Sequence, residues 1–310
     1  MKKNFACFVI VCFAVIAFSS WLIYANYSKG IIYLNANDEI SYSRLEKLSK
    51  ELRKQHYQVV LSDKENHQSG KFNLYASNDF GALPKVLDKD AINFLWVPTV
   101  QQGDLVPLHP FDVIVVQNMP SFAYLKAINA RTAFIPEAIN ITAPEIKNIG
   151  SKLMFYGDNE GFSLSLYLAG PTDLEIDIYG KGFEGLWDSK SIMKDLPHTE
   201  DFQRYALVLV DQKDENIRDE LLDQRIIDVI EQGSLPYVRY NTALVKIFGD
   251  TIPMYKNGDE FLSKLSDLRR RPEEIKTRLK DLRRIGKDWD TTSQAKKFIE
   301  LFEIMSQKVK

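Results

Sequence analysis

The chain has 310 residues, 26% of them charged, and a formal net charge of −2. That length allows one large or two medium domains with full cores, and the near-neutral balance argues against a protein that grips nucleic acid through bulk charge. Both cysteines, Cys7 and Cys12, lie in the apolar amino-terminal stretch, and His56, His67, His109 and His198 are scattered, which excludes a disulfide framework and a cysteine or histidine metal site in the folded part.

In chain order the first feature is Phe5 to Tyr24, apolar apart from Ser19 and Ser20. It is about the length that crosses a bilayer as a helix. Trp21, Tyr24 and Tyr27 would sit at the far interface, with Lys2 and Lys3 inside. A cleaved signal peptide, with Ala17-Phe18-Ser19 as a small-x-small site, is the rival reading, so residues 1–28 are an anchor or a signal segment. By the positive-inside rule the terminus stays cytoplasmic and the globular part lies outside; it is a cytoplasmic domain if the rule misleads.

Residues 29–142 read as an amino-terminal Rossmann-like domain. Ile31 to Leu34 is a strand, Tyr42 to His56 a helix carried by Leu45, Leu48 and Leu52, and Tyr57 to Leu61 a second strand. Ser62 to Asn78 is polar and reads as loop. Ile92 to Val97, Val113 to Val116 and Thr132 to Ile135 are further strands, with a helix at Phe122 to Ile128. A β-α-β order of this kind implies a parallel sheet, whose ligands bind beyond the carboxyl ends of its strands. Asp38 and Glu39, just past the first strand, are candidates for the base that would take a proton from an acceptor hydroxyl; the same pair suits a helix cap.

Residues 143–310 read as a second Rossmann-like domain with terminal helices. Lys152 to Tyr156 is a strand entering the turn Gly157-Asp158-Asn159-Glu160-Gly161, and Leu164 to Leu168 opens a helix. Leu174 to Tyr179 is a strand followed by Gly180-Lys181-Gly182-Phe183, and Ala206 to Val210 is a buried strand. Asp211 to Leu222 is a charged connection into the stretch from Asp223 to Tyr240. There Ile226, Ile227 and Ile230 mark the buried face of a helix that Gly233 ends, before a strand from Leu235. Arg225, Asp228 and Glu231 recur every three residues on one face, and the amino end of such a helix favours a phosphate. Asp259 is placed to cap a helix over Glu260 to Arg270, Pro272 opens the next, and a last helix over Thr292 to Met305 buries Phe298, Leu301, Phe302 and Met305. Lys276, Arg278, Lys280, Arg283 and Arg284 form a basic, solvated face, one that would also suit anionic lipid.

Taken jointly from Lys152 onward, this order resembles the donor half of GT-B glycosyltransferases, and most of all the family-1-like carboxy-terminal domain of spore-maturation-type glycosyltransferases. Arg225, Ile227, Asp228 and Gly233 stand at the arginine, aromatic, acidic and glycine positions of that family's helix, and Asp223 at its asparagine. Gly157 falls in its first glycine turn, and Tyr179-Gly180-Lys181-Gly182-Phe183 in its Tyr-Gly-x-Gly-Trp segment.

The resemblance implies an α/β fold of two Rossmann-like domains facing each other across a cleft behind the amino-terminal helix. It implies transfer of a sugar from a nucleotide-activated donor to a hydroxyl on a glycan or lipid, in surface glycan or glycolipid assembly. Asp228 would then hydrogen-bond the donor ribose, and Arg225 and Lys181 would balance its diphosphate. Gly157, Gly180 and Gly182 would let the backbone approach, with Glu231 and Gly233 completing the donor side. No cofactor and no nucleic-acid partner is expected, and the membrane is engaged through Phe5–Tyr24. The alternative is a membrane-tethered relative without catalysis that binds glycans or proteins as an assembly factor.

Overall fold

The computed structural model describes residues 31–63, 71–84, 86–146, 149–150, 152–158, 175–183, 192–193 and 197–308. The apolar stretch Phe5–Tyr24 and the helix expected at Leu164 to Leu168 lie outside them. Among the described residues no helix is long and apolar enough to cross a membrane.

The elements run β1 (Ile31–Ala36), α1 (Glu39–Lys54), β2 (Gln58–Ser62), β3 (Phe72–Ala76), β4 (Ile92–Val97), α2 (Leu105–Leu108), β5 (Val113–Val116), α3 (Met119–Ala127) and β6 (Thr132–Phe134). They continue with β7 (Leu153–Tyr156), β8 (Ile176–Tyr179), β9 (Ile192–Met193), α4 (Thr199–Phe202), β10 (Leu207–Val210), α5 (Asp214–Arg218), α6 (Gln224–Glu231), β11 (Leu235–Arg239), α7 (Thr242–Phe248) and β12 (Met254–Tyr255). Three helices close the chain: α8 (Gly258–Arg270), α9 (Pro272–Gly286) and α10 (Thr291–Lys308). Among the described residues strands and helices alternate over much of the chain, with β2 to β4 and β6 to β9 following one another without an α-helix.

The strands form two six-stranded sheets, ordered β2-β1-β3-β4-β5-β6 and β12-β11-β10-β7-β8-β9, and every pairing is parallel. Parallel sheets are covered on both faces, so their strands read as unbroken apolar runs; Val113–Val116 and Leu207–Val210 are buried at every position. The strand order reverses once in each sheet, between β1 and β3 and again between β7 and β10.

Two departures from the sequence reading concern the first sheet. Phe72–Ala76, expected as loop, is its central strand, hydrogen-bonded to β1 on one side and β4 on the other. Its polar member, Asn73, donates its side-chain amide to Asn93 Oδ1 at 2.9 Å, so a polar residue sits in the sheet with its hydrogen bond made. The second departure is the division of the chain. One compact unit takes residues 31–116, 124–135 and 294–308, and the other 117–123 and 136–293. The boundary expected after Thr142 falls at Ile135–Pro136, and most of α10 joins the first sheet. Aromatic packing accounts for this: the Phe298 ring lies 5.1 Å from Trp96, and Phe302 lies 4.9 Å from Phe94 and 5.3 Å from Phe72.

Helix signals are mostly where the sequence puts them. Gly233, at φ 80°, ends α6, and Pro272 opens α9 with Glu273 and Glu274 in its first turn. The cap of α8 is Asn257 rather than Asp259: the Asn257 side chain accepts from Glu260 N, which draws Gly258 and Asp259 into the helix. The basic face of α9 is largely neutralised, with Lys276 paired to Glu273, Arg278 to Glu274 and Arg284 to Asp281.

Removing a fully buried ring from the α10 contact is expected to cost the first unit about 3–5 kcal/mol. Phe302→Ala should therefore lower the urea midpoint sharply, while Ile304→Ala, at a position 51% exposed, should leave it within roughly 0.5 kcal/mol.

Candidate functional site

In an open parallel sheet the crevice beyond the carboxyl ends of two strands opens where their connections leave in opposite directions. In the second unit that place lies between β7 and β10, and a cavity of about 280 Å³ is there. Its lining comes from the residue after the β7 turn, Asp158, from the run leaving β10, Asp211 to Glu215, and from Arg225 in the first turn of α6.

The turns that build this edge are held by their own groups. Asp158 receives Arg225 Nη2 at 2.5 Å and the backbone N–H of Lys181 at 3.0 Å, so one carboxylate joins the β7 turn, the β8 turn and α6. Arg225 Nη1 donates to the Asp211 carbonyl at 3.3 Å. The amino end of α6 is capped by the buried Asp223, which accepts from Arg225 N at 3.0 Å and from Asn216 Nδ2 at 2.8 Å. The helix end that would favour a phosphate thus already carries a carboxylate of the protein.

The glycines chosen for ligand approach also serve the packing. A Cβ on Gly180, whose φ is 153°, would stand 1.5 Å from the Gly157 carbonyl oxygen, and one on Gly157 would stand 2.7 Å from Asp211 Cβ. Gly182 follows with φ 83° in the same turn. A Cβ on Gly233 would meet Arg283 Nη2 at 2.7 Å. At the far end of α6, Glu231 accepts the Asn140 backbone N–H at 2.8 Å and so ties down the segment that enters this unit.

Of the expected donor residues, then, Arg225 lines the cavity, while Gly157, Gly180, Lys181 and Gly182 form the turns beside it. Lys181 is exposed, and among the described residues its ammonium makes no ion pair. Asp228 sits one turn beyond Arg225 and accepts from Gln224 Nε2 at 2.9 Å and from the Tyr156 hydroxyl at 3.3 Å. Burial, and then the Asp228 charge, push the Tyr156 phenol up to about 12, so it stays protonated and donating across the physiological range. Glu231 and Gly233 do not line the cavity.

The first unit repeats the topology. Asp38, after β1, and Asn78, after β3, meet at its strand reversal. Both Asp38 oxygens are in use: Oδ1 accepts from Ser41 N and Asn78 Nδ2, and Oδ2 from Ser41 Oγ and Asn78 N, at 2.8–3.0 Å. Burial alone would raise its pKa, but these hydrogen bonds outweigh it and hold the carboxyl below its usual range. A carboxylate satisfied in this way is a cap and a joint, and a poor proton acceptor. Glu39 is exposed in the first turn of α1.

Two residues that the sequence reading passed over stand at these reversals. Gln212 lines the cavity at 4% exposure, and among the described residues neither atom of its carboxamide has a hydrogen-bond partner. Asn37, 5% exposed beyond β1, is in the same condition. An unsatisfied buried amide costs about 1–3 kcal/mol, so each marks a place of interest. The available signal was a polar residue one or two places past a buried strand, which in Gln212 was hidden inside a run read as a charged connection.

These features define a doubly wound α/β protein of two Rossmann-like units with a polar cavity at a strand reversal. No family model matches the sequence, and no curated protein matches it. Solved structures do. A glycosyltransferase from Rickettsia africae superimposes with a TM-score of 0.61 at 9% identity, over 88% of this chain and 98% of its own. An α-glucosyltransferase solved with UDP-glucose and DNA containing an abasic site gives 0.57 at 10% identity, over 89% and 99%. The pneumococcal O-GlcNAc transferase GtfA, solved with UDP and GlcNAc, gives 0.52 at 12% identity over 74% of this chain, which spans only 56% of that one. A protein assigned as a UDP-N-acetylglucosamine 2-epimerase from Listeria monocytogenes gives 0.56 at 8% identity. The chain has the GT-B fold of these proteins; at such identities the fold is what the likeness establishes.

Two substitutions separate scaffolding from ligand contact. Gly180→Ala should lose about 1–3 kcal/mol or more of stability, against no change for Gly103→Ala, whose added methyl meets nothing within 4 Å; an undisturbed melt with lost nucleotide binding would instead assign Gly180 to the ligand. Asp38→Ala should cost about 1 kcal/mol at pH 7. Because the folded pKa is depressed, that contribution is full above the unfolded value of about 3.9 and fades as pH falls through the folded one, so parent and variant melts should converge in acid.

Proposed function

We propose that the chain transfers a sugar from a nucleotide-activated donor to a hydroxyl acceptor. The observation that carries this reading is the cavity at the β7/β10 reversal with Arg225 in its wall, in a chain of GT-B fold. On this reading Asp228 holds the donor ribose, as a half-buried carboxylate one turn past Arg225 suits paired hydroxyls. Lys181 and Arg225 face the diphosphate, whose charge on leaving is balanced by cations rather than by a bound metal. The apolar stretch Phe5–Tyr24 supports a membrane-tethered enzyme and hence a lipid or glycan acceptor in surface glycan assembly, with the globular part extracytoplasmic by the positive-inside rule.

A second reading, a binding protein without catalysis, is favoured by one specific observation. Arg225 is already paired with Asp158, and among the described residues the cavity wall carries four carboxylates against two cations. A diphosphate gains little there unless Lys181 supplies the attraction.

Calorimetry of the full chain with nucleoside diphosphates and their sugar esters separates the two. A transferase should bind one nucleotide series saturably. Asp228→Ala should weaken that binding by about tenfold or more, the value of a hydrogen bond to a charged group, while the ligand-free melt changes little. A folded chain that binds no nucleotide overturns the transferase and leaves the binding protein.

A further inference from the structure

We propose that the ion pair Glu260–Lys264 guards the open edge of the second sheet and keeps a second copy of this chain from adding a strand there. The guard acts whether or not the chain transfers a sugar.

The edge is β12, the outermost strand of its sheet. Successive residues of a strand turn their backbone groups to opposite sides. The Pro253 and Tyr255 carbonyls accept from Val238 N at 3.3 Å and from Tyr240 N at 2.8 Å, so those two residues face β11. Met254 and Lys256 therefore turn their backbone outwards. Among the described residues no strand lies on that side, and α8 takes its place. Lys264 Nζ donates to the Met254 carbonyl at 2.7 Å, and Lys256 N donates to Glu260 Oε2 at 2.7 Å. Lys264 also pairs with Glu260, one turn before it on the same helix.

These are the contacts that a further strand would need. In a parallel pair one residue gives its N–H to a carbonyl and its own carbonyl to the N–H two residues further along. The Lys264 ammonium replaces the incoming N–H, and the Glu260 carboxylate replaces the incoming carbonyl. An antiparallel strand, as two copies related by a two-fold axis would supply, uses the same two groups. With only two residues in β12, blocking them closes the edge. An ion pair 47% and 29% exposed adds little to stability by itself, so its bonds to the backbone set it apart. Hydrogen bonds from Lys264, and then from the Lys256 N–H, hold the Glu260 carboxyl below its usual range, and it stays charged near neutrality.

What borders the edge makes a guard necessary. A cavity of about 700 Å³ lies beside β12, with Val245, Ile252, Pro253, Met254 and Leu268 in its lining and Glu260 and Lys264 in the same wall. A segment that adds to a sheet edge is held by main-chain hydrogen bonds and fitted by pockets for alternate side chains. Without the ion pair β12 offers both, and a second copy carries the same self-complementary edge.

Three forms of the full chain are compared by sedimentation velocity as concentration is raised, in detergent that accommodates Phe5–Tyr24. They are the unaltered chain, Glu260→Ala/Lys264→Ala, and Glu46→Ala/Lys50→Ala, which removes an exposed pair of the same spacing from α1. The Glu260→Ala/Lys264→Ala protein should self-associate beyond the other two. Hydrogen exchange gives a second readout. When that variant is dilute its Lys256 amide should exchange about tenfold faster than in the unaltered chain, from loss of a bond to a charged group, and it should slow again as the variant associates. Association no greater than that of the unaltered chain overturns the proposal, as does equal association of both variants. So does fast exchange at Lys256 in the unaltered chain, which would mean that Glu260 does not hold the edge in solution. Should the double variant fail to fold, Lys264→Met, which keeps the stem of the side chain and removes the donor to Met254, must associate in its place; a Lys264→Met protein that behaves as the unaltered chain overturns the proposal.

Discussion

Every feature of interest here follows from a constraint of parallel sheets. Consecutive parallel strands need a crossover that covers one face, and the right-handedness of that crossover fixes which face. When the chain returns to the starting strand and winds the other way, its connections leave to opposite sides, and nothing covers the strand ends between them. Both sheets meet that condition once, at β1/β3 and at β7/β10. The polar residues that follow those strands are therefore brought together without any long-range selection for contact. Asp38 reaches Asn78, and Asp158 reaches Arg225 and the Lys181 backbone, because the topology leaves them facing one another.

What the two reversals do with that freedom differs. The first closes on itself: each oxygen of Asp38 accepts two hydrogen bonds, and the corner is knitted by short polar contacts. Among the described residues the second stays open around an excess of carboxylates, with Asp158 paired to Arg225 and Asp214 to Arg239. The Asp158–Arg225 pair is about three-quarters buried on both sides, so breaking it leaves a partly desolvated charge, a larger loss than an exposed pair would give. This ion pair stiffens the wall and at the same time uses up the cation best placed for an anion. Charge in this cavity is arranged to accept protons in hydrogen bonds more than to attract phosphate.

The sequence was legible where one force dominates. Unbroken apolar runs announce β5 and β10 because burial on both faces leaves no alternative, and the spacing of Ile226, Ile227 and Ile230 announces the buried face of α6. It was silent where two residues solve a problem together. In Phe72–Ala76 the polar Asn73 gives its side-chain amide to Asn93, twenty residues on, a partner that no local pattern shows. Gly157 and Gly180 stand out in the sequence as places where a backbone could approach a ligand, yet the room they leave is taken up largely by each other and by Asp211. Gln212 could not be singled out by type or spacing, since what distinguishes it is an unmade hydrogen bond, and that exists only in three dimensions.

The return of α10 to the first sheet carries a consequence for synthesis. Trp96, Phe94 and Phe72 leave the ribosome long before Phe298 and Phe302, the rings that cover them. At roughly 5–20 residues per second, translation of the intervening stretch takes on the order of ten to forty seconds. Through that interval the first sheet presents an uncovered aromatic face, while the second unit, whose residues 136–293 are contiguous, has all it needs to fold. The half of the protein made first is thus the half finished last.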